Sequence, residues 1–160
     1  AFSKKLTDQV DEKIPLDTER GYHVHFKGHD HLLSRPVIFL NKGFGITPME
    51  QGLRVVGTVE FGGLDAPASK KRILNLVNNA KYLFPELTKH YDEWLGFRPT
   101  LPDCLPVIGP SKNYKNLFYS FGHHHLGWTL GAISGKIVSN MIAEENTNLD
   151  LSAYNSTRFS

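Results

Sequence analysis

The apolar positions change period along the chain, and each change marks a change of structure. Phe2, Leu6 and Val10 recur every fourth residue, which predicts a short helix over residues 3–12 with Ser3 placed to cap it. Pro15 and the turn LDTERG end that helix. In GYHVHFKG (21–28) the period drops to two. Tyr22, Val24 and Phe26 then share one face of a strand, and His23 and His25 share the other. SRPVIFL (34–40), FGITPM (44–49) and GLRVVGTVEFGG (52–63) continue as strands, the last two joined by a tight turn at Glu50-Gln51-Gly52. Residues 21–63 thus predict an antiparallel sheet of hairpins and meanders.

The helical period returns in APASKKRILNLVNNAKYLFPEL (66–87), where Ile73, Leu74, Val77, Ala80, Tyr82 and Leu83 mark the apolar side. Ser69 stands at its N-cap and Pro85 stops it. YDEWLGFRP (91–99) reads as a strand that leaves the sheet, LPDCLPVIGP (101–110) as a proline-punctuated loop with a short apolar piece, and NLFYSFG (116–122) as a buried strand. LGWTLGAISGKIVSNMIAEE (126–145) is the strongest helix, and Gly127, Gly131 and Gly135 leave one stripe of it bare. A polar tail, NLDLSAYNSTRFS, closes the chain. Strands first and helices after them predict an α+β fold.

Composition adds mainly exclusions. Forty per cent apolar and 21% charged residues are ordinary for a globular protein. The net charge is +2, and Lys70-Lys71-Arg72 is the one basic run, so no nucleic-acid partner is expected. Cys104 is the sole cysteine, which rules out an internal disulfide and fits a reducing compartment. Neither a membrane-spanning run nor a secretory leader is expected. The opening AFSKKL, without Met and already in helical register, reads as the start of a fragment.

Two stretches carry candidate chemistry. FGHHHLGWTLGAISGKI (121–137) holds three of the eight histidines. Metal signatures such as HExxH and CxxC are absent, and three adjacent imidazoles cannot all face one ion in a regular loop, so no metal is expected. The layout that follows is a strand, a glycine loop and a helix start. Its unpaired N–H groups and positive dipole end suit an anion or a carbonyl gaining negative charge. The glycine stripe equally suits packing of the helix on a strand, and both readings stand. The second stretch places Arg98 between Phe97 and Pro99. An arginine among apolar groups needs a partner. Asp103, five residues on, is one reading, and a substrate carboxylate held by two parallel bonds is the other.

Three segments carry a resemblance. IPLDTERGYHVHF, LRVVGTVEFGG followed by NLVNNAKYLFPEL, and WLGFRPTLPDCLPVIGPSKNYKNLFYSFGHHHLGWTLGAISGKIVSNMI resemble, in this order, the C-terminal half of the FAD-dependent D-amino-acid oxidoreductase family, nearest its D-amino-acid dehydrogenase branch. The resemblance implies that residues 1–20 end an FAD-binding segment and linker, 21–97 form a substrate-binding domain, and 98–160 return to the FAD-binding domain. It further implies oxidation of the Cα–N bond of an amino acid, the D-form by the family's name, to the imino acid, with hydride passing to flavin. Arg98 then matches the carboxylate-binding arginine, and Tyr22 lies on the substrate side. Gly122, His123, Gly127, Trp128 and Thr129 match the loop and helix start that face the flavin. No side-chain acid or base is implied. Cousins that tether flavin do so through a cysteine where this chain has Gly96, so FAD is expected to be non-covalent.

GFGITPME (43–50) lacks the third glycine and the helix of a dinucleotide loop, so that motif is expected upstream, and this chain alone is expected to be inactive and without FAD. His124 and His125 depart from the usual small or polar residues after the GH pair. The implied partners are a small amino acid and an electron acceptor, either quinone or oxygen, and the fragment is expected to self-associate. The implied place is the cytoplasm or the inner face of its membrane. The alternative is a non-enzymatic carboxylate-binding or interaction module derived from the same family.

Overall fold

The computed structural model describes residues 1–159, and Ser160, the last residue of the polar tail, lies outside the described residues. In chain order the elements are α1 (Lys4–Gln9), β1 (Asp17–Phe26), β2 (Val37–Phe39), β3 (Phe44–Met49), β4 (Gly52–Phe61), α2 (Lys70–Leu83), β5 (Tyr91–Thr100), β6 (Val107–Pro110), β7 (Phe118–Phe121) and α3 (Gly127–Ile142), with short 3-10 turns between and after them. They form two compact units, one of residues 19–97 and the other of residues 1–18 with 98–160. Among the described residues no helix is long and apolar enough to cross a membrane.

In the unit of residues 19–97 the strands lie in the order β2-β3-β4-β1-β5. The β2–β3, β3–β4 and β4–β1 pairs are antiparallel. The expected alternation of β1 holds, because Tyr22, Val24 and Phe26 are fully buried with Phe44, Ile46, Leu53 and Val55. Ile73, Leu76, Val77 and Ala80 of α2 close this core. These four follow i, i+3, i+4, i+7, one face of a helix. Leu74 and Tyr82, expected on that face, fall off the stripe and are 53% and 74% exposed. Residues 91–97 stay with the sheet, and the strand then carries Arg98 into the other unit. As β5 they flank β1, whose edge would otherwise present unpaired N–H and C=O groups.

A buried polar network ties α2 to the sheet. Between Arg20 and Tyr22 the β1–β4 register slips by one residue, and β4 takes up the extra residue where Thr58 has φ +63°. The Tyr22 hydroxyl donates to Glu60 Oε2 (2.5 Å) and accepts from the Ser69 N–H (3.0 Å) and Arg20 Nη2 (3.3 Å). Arg20, 1% exposed, also donates to the carbonyls of Gly62 (3.3 Å) and Pro67 (2.7 Å). Its Nε lies 3.2 Å from Glu60 Oε2, near enough for an ion pair but poorly aligned for a hydrogen bond. Arg72 pairs with Glu60 Oε1 at 3.2 Å. Ser69 occupies the N-cap of α2 with its side chain unused.

The Tyr22 hydrogen bond, then the charges of Arg20 and Arg72, hold the Glu60 carboxyl below the usual carboxylate range. A carboxyl that is depressed in the fold contributes stability above its unfolded pKa and loses it as pH falls through the folded value. Glu60→Gln should therefore cost about 1–2 kcal/mol at pH 7. That difference should be flat above about pH 5.5 and fade in acid below the ordinary carboxylate range. Urea unfolding of both proteins at a series of pH values measures it. A gap that does not shrink in acid would remove Glu60 from the account.

The other unit has its own core of Ile14, Leu16, Leu101, Val107 and Tyr119, edged by Leu117, Phe121 and Phe159. Part of the expected loop at 101–110 is in fact β6, antiparallel to β7 with Val107 opposite Phe121 and Pro110 opposite Phe118. Proline stands there at the end of an outer strand, where its missing N–H costs least. Glu12, 6% exposed, accepts from the Ser111 hydroxyl, from the Asn113 N–H (3.3 Å) and from the Ser156 hydroxyl (3.4 Å). Helix α3 buries Ser134 and Ile137.

Candidate substrate and flavin site

The site residues expected from the sequence, Tyr22 apart, lie in the unit that contains residues 98–160. Arg98 enters it on β5, half-buried. Its Nη1 atom is buried and has no hydrogen-bond partner among the described residues. Asp103 does not supply one, because it belongs to Arg158. Arg158 Nε donates to Asp103 Oδ2 (2.7 Å) and Nη2 to Oδ1 (3.3 Å), and this pair, with the Leu105 N–H, holds the Asp103 carboxyl below its usual range. The internal Arg98–Asp103 pair is thus corrected to Arg158–Asp103. A buried guanidinium nitrogen left unpaired is costly, which makes Arg98 a ready receptor for a carboxylate.

The residues just after Arg98 hold the loop that leads into α3. The His124 N–H donates to the Pro99 carbonyl at 3.1 Å. The Thr100 hydroxyl bonds the His124 ring. Gly122 is buried against Leu101, with φ +81°. Two non-adjacent parts of the sequence are thereby brought together, residues 98–101 and 122–124. His123 does not project freely. Its Nε2 meets the Ser134 Oγ at 2.9 Å, and burial lowers its pKa. This bond clamps the loop to the helix it precedes.

Helix α3 opens at Leu126 with no side-chain cap. Gly127, Trp128 and Thr129 are exposed, Trp128 completely, at 101%. A Cβ at Gly127 would meet only the His123 Cβ, 3.8 Å away, and one at Gly131 or Gly135 would meet nothing within 4 Å. Among the described residues, then, the glycine stripe is not used for packing the helix on a strand. It remains a flat, open face.

Tyr22 stands elsewhere. Its ring is 0% exposed and its hydroxyl already has three partners, so the structure places it in the core network and not on a ligand surface. The opposite face of β1 carries His23 and His25. His25 is 1% exposed, and its Nδ1 lies 3.0 Å from Asp92 Oδ2, while Arg54 Nε donates to its Nε2 (2.9 Å). The His23 ring stacks on Trp94 with centroids 4.8 Å apart. Burial first and the Arg54 charge second push His23 down to about 4 and lower His25 as well. Sequence spacing showed the two histidines on one face but not Asp92, which β5 delivers from far along the chain. Trp94 also lies over Gly96, where an added Cβ would come within 2.0 Å of its ring.

Comparison with known proteins gives the chain's family and fold. The family described as DAO, FAD dependent oxidoreductase, matches residues 1–141. A D-amino-acid oxidase of Bradyrhizobium diazoefficiens is 33% identical over 99% of this chain and 39% of its own length. A D-amino acid dehydrogenase of Granulibacter bethesdensis is 32% identical over 94% of this chain and 37% of its own. The crystal structure of glycine oxidase from Geobacillus kaustophilus superposes with a TM-score of 0.85 at 26% identity, covering 99% of this chain and 43% of that one. The chain spans about two fifths of the length of these relatives. With most of its length matched and its fold shared, the chain belongs to the FAD-dependent oxidoreductase (DAO) family.

Proposed function

We propose that this chain carries the substrate-carboxylate arginine and the flavin-facing helix start of an oxidoreductase that converts a D-amino acid to its imino acid. The buried, unpartnered Nη1 of Arg98 carries the reading. A substrate α-carboxylate is the partner whose geometry suits it, since a guanidinium grips a carboxylate through two parallel N–H···O bonds. Curated relatives are named as D-amino-acid oxidases and dehydrogenases, which supports amino-acid oxidation as the reaction class.

The residues present fit a flavin. An uncapped helix start, bare at Gly127 and exposed through Thr129, can approach a planar ring closely with its N–H groups. Gly127, Trp128 and Thr129 would hold its edge, on a loop fixed by Gly122 and by the His123–Ser134 bond. The chemistry flavin supplies is acceptance of a hydride from the substrate α-carbon. This chain's part is to orient the carboxylate through Arg98 and to offer backbone N–H groups to negative charge. With Trp94 lying over Gly96, no tethering side chain is available there, which supports non-covalent FAD.

Anaerobic mixing of the full-length flavoprotein with a panel of D- and L-amino acids tests this. Bleaching of the flavin by D-amino acids is expected. Carboxylate binding at Arg98 without any bleaching would favour the alternative, a binding module derived from the family.

A further inference from the structure

We propose that His23, His25 and Asp92 bind a single divalent cation of the zinc class, on the sheet face turned away from α2. One ligand atom from each of the three residues falls within 4.8 Å of the others. Two imidazoles and one carboxylate form a donor set that such cations favour. His25 Nδ1 and Asp92 Oδ2 are 3.0 Å apart. Ligands held about 2.1 Å from one ion stand roughly 3.0–3.4 Å apart, so these two atoms already stand at ligand spacing.

The second observation is that His25 Nδ1 is buried and lacks a hydrogen-bond partner, although Asp92 is close. The carboxylate is near the nitrogen but out of line with it. An ion between them would satisfy both. The His23 ring is steadied by its stack on Trp94, and the half-exposed Asp92 side chain (55%) leaves an entry path. The rigid β1 strand sets the two histidines, and the exposed carboxylate is the part free to close.

Arg54 opposes the ion in two ways. Its charge lies beside the site, and its Nε donates to His25 Nε2, which keeps the ring proton on Nδ1. Binding at Nδ1 requires Arg54 to turn away and the proton to move from Nδ1 to Nε2, so no net proton is released by His25. Arg54 is therefore a gate on the site, and the reading stands independently of the oxidoreductase proposal.

Zinc titration of the 160-residue chain against a chromophoric chelator, in metal-free buffer, tests the site. One equivalent is expected to bind. His23→Gln and Asp92→Asn, both at sites outside the packed core, should each weaken binding at least about tenfold. Arg54→Gln should tighten it severalfold, because the charge is gone and the amide oxygen can accept the Nε2 proton. Cobalt in place of zinc should show ligand-field bands that His23→Gln abolishes. A double His124→Ala, His125→Ala chain should bind unchanged. The proposal is overturned if His23→Gln and Asp92→Asn bind like the parent, if Arg54→Gln weakens binding, or if the double variant alone removes it.

Discussion

Arg98→Gln in the full-length protein is expected to lower kcat/KM for D-amino acids about 100-fold, mostly through KM, a loss of about 3 kcal/mol. Glutamine keeps much of the length and the polarity but removes the charge and the two-pronged donor. The effect should be large because the buried Arg98 Nη1 has no hydrogen-bond partner among the described residues. Asp103 is held by Arg158, and Nη1 of Arg98 is buried without a bond. Binding substrate there therefore breaks no hydrogen bond of that nitrogen among the described residues. Arg98→Lys should recover only part of the loss, since a point charge cannot make two parallel bonds. A primary amine with the same side chain but no carboxylate separates this role from a structural one. Its turnover, however slow, should be the same in the parent and Arg98→Gln proteins. If KM for the amino acid stays unchanged in Arg98→Gln, Arg98 does not hold the carboxylate.

What could be read from the sequence follows from how local each signal is. The alternation Tyr22-His23-Val24-His25-Phe26 needed only neighbouring residues, and the buried face came out as expected. The α2 stripe was misjudged at Leu74 and Tyr82 because both are apolar, and only the position of the sheet decides which apolar residues are covered. That residues 91–99 form a strand was legible, but its place beside β1 was not, because that partner is far away in sequence and an edge's need for a partner has no local signature. Tyr22 illustrates the limit of resemblance. Its place in the RGY segment suggested the substrate side, whereas the slip at Thr58 turns Arg20, Tyr22 and Glu60 into one buried network. Asp103 was named as a candidate partner for the wrong arginine. Arg158 lies 55 residues on, and nothing in the spacing ties the two together. The partly buried setting of Arg98 was legible, because an arginine between Phe97 and Pro99 already posed the question of its partner.

The second large effect concerns the loop that sets up α3. Gly122→Ala should destabilise the chain by about 2–4 kcal/mol and lower Tm by about 10 °C. Two costs combine. The backbone at Gly122 has φ +81°, a region alanine enters only at a cost of about 1–2 kcal/mol. An added Cβ would also stand 2.6 Å from Leu101 Cδ1 and 3.7 Å from Leu16 Cδ1. Leu101 and Leu16 are themselves 2% and 4% exposed, members of the core that also holds Val107 and Tyr119, so neither can step aside into solvent. Overpacking of this kind costs about 1–3 kcal/mol. Gly127→Ala is the control, because its Cβ would meet only the His123 Cβ at 3.8 Å, and it should stay within about 0.5 kcal/mol of the parent. Joining Gly122→Ala to Leu101→Ala should cost less than the sum of the two single changes, because the smaller core side chain removes the overlap. Thermal melts of the four variants and the parent give all these differences directly. If Gly122→Ala melts with the parent, the loop tolerates a side chain there, and Gly122 does not fix the approach to α3.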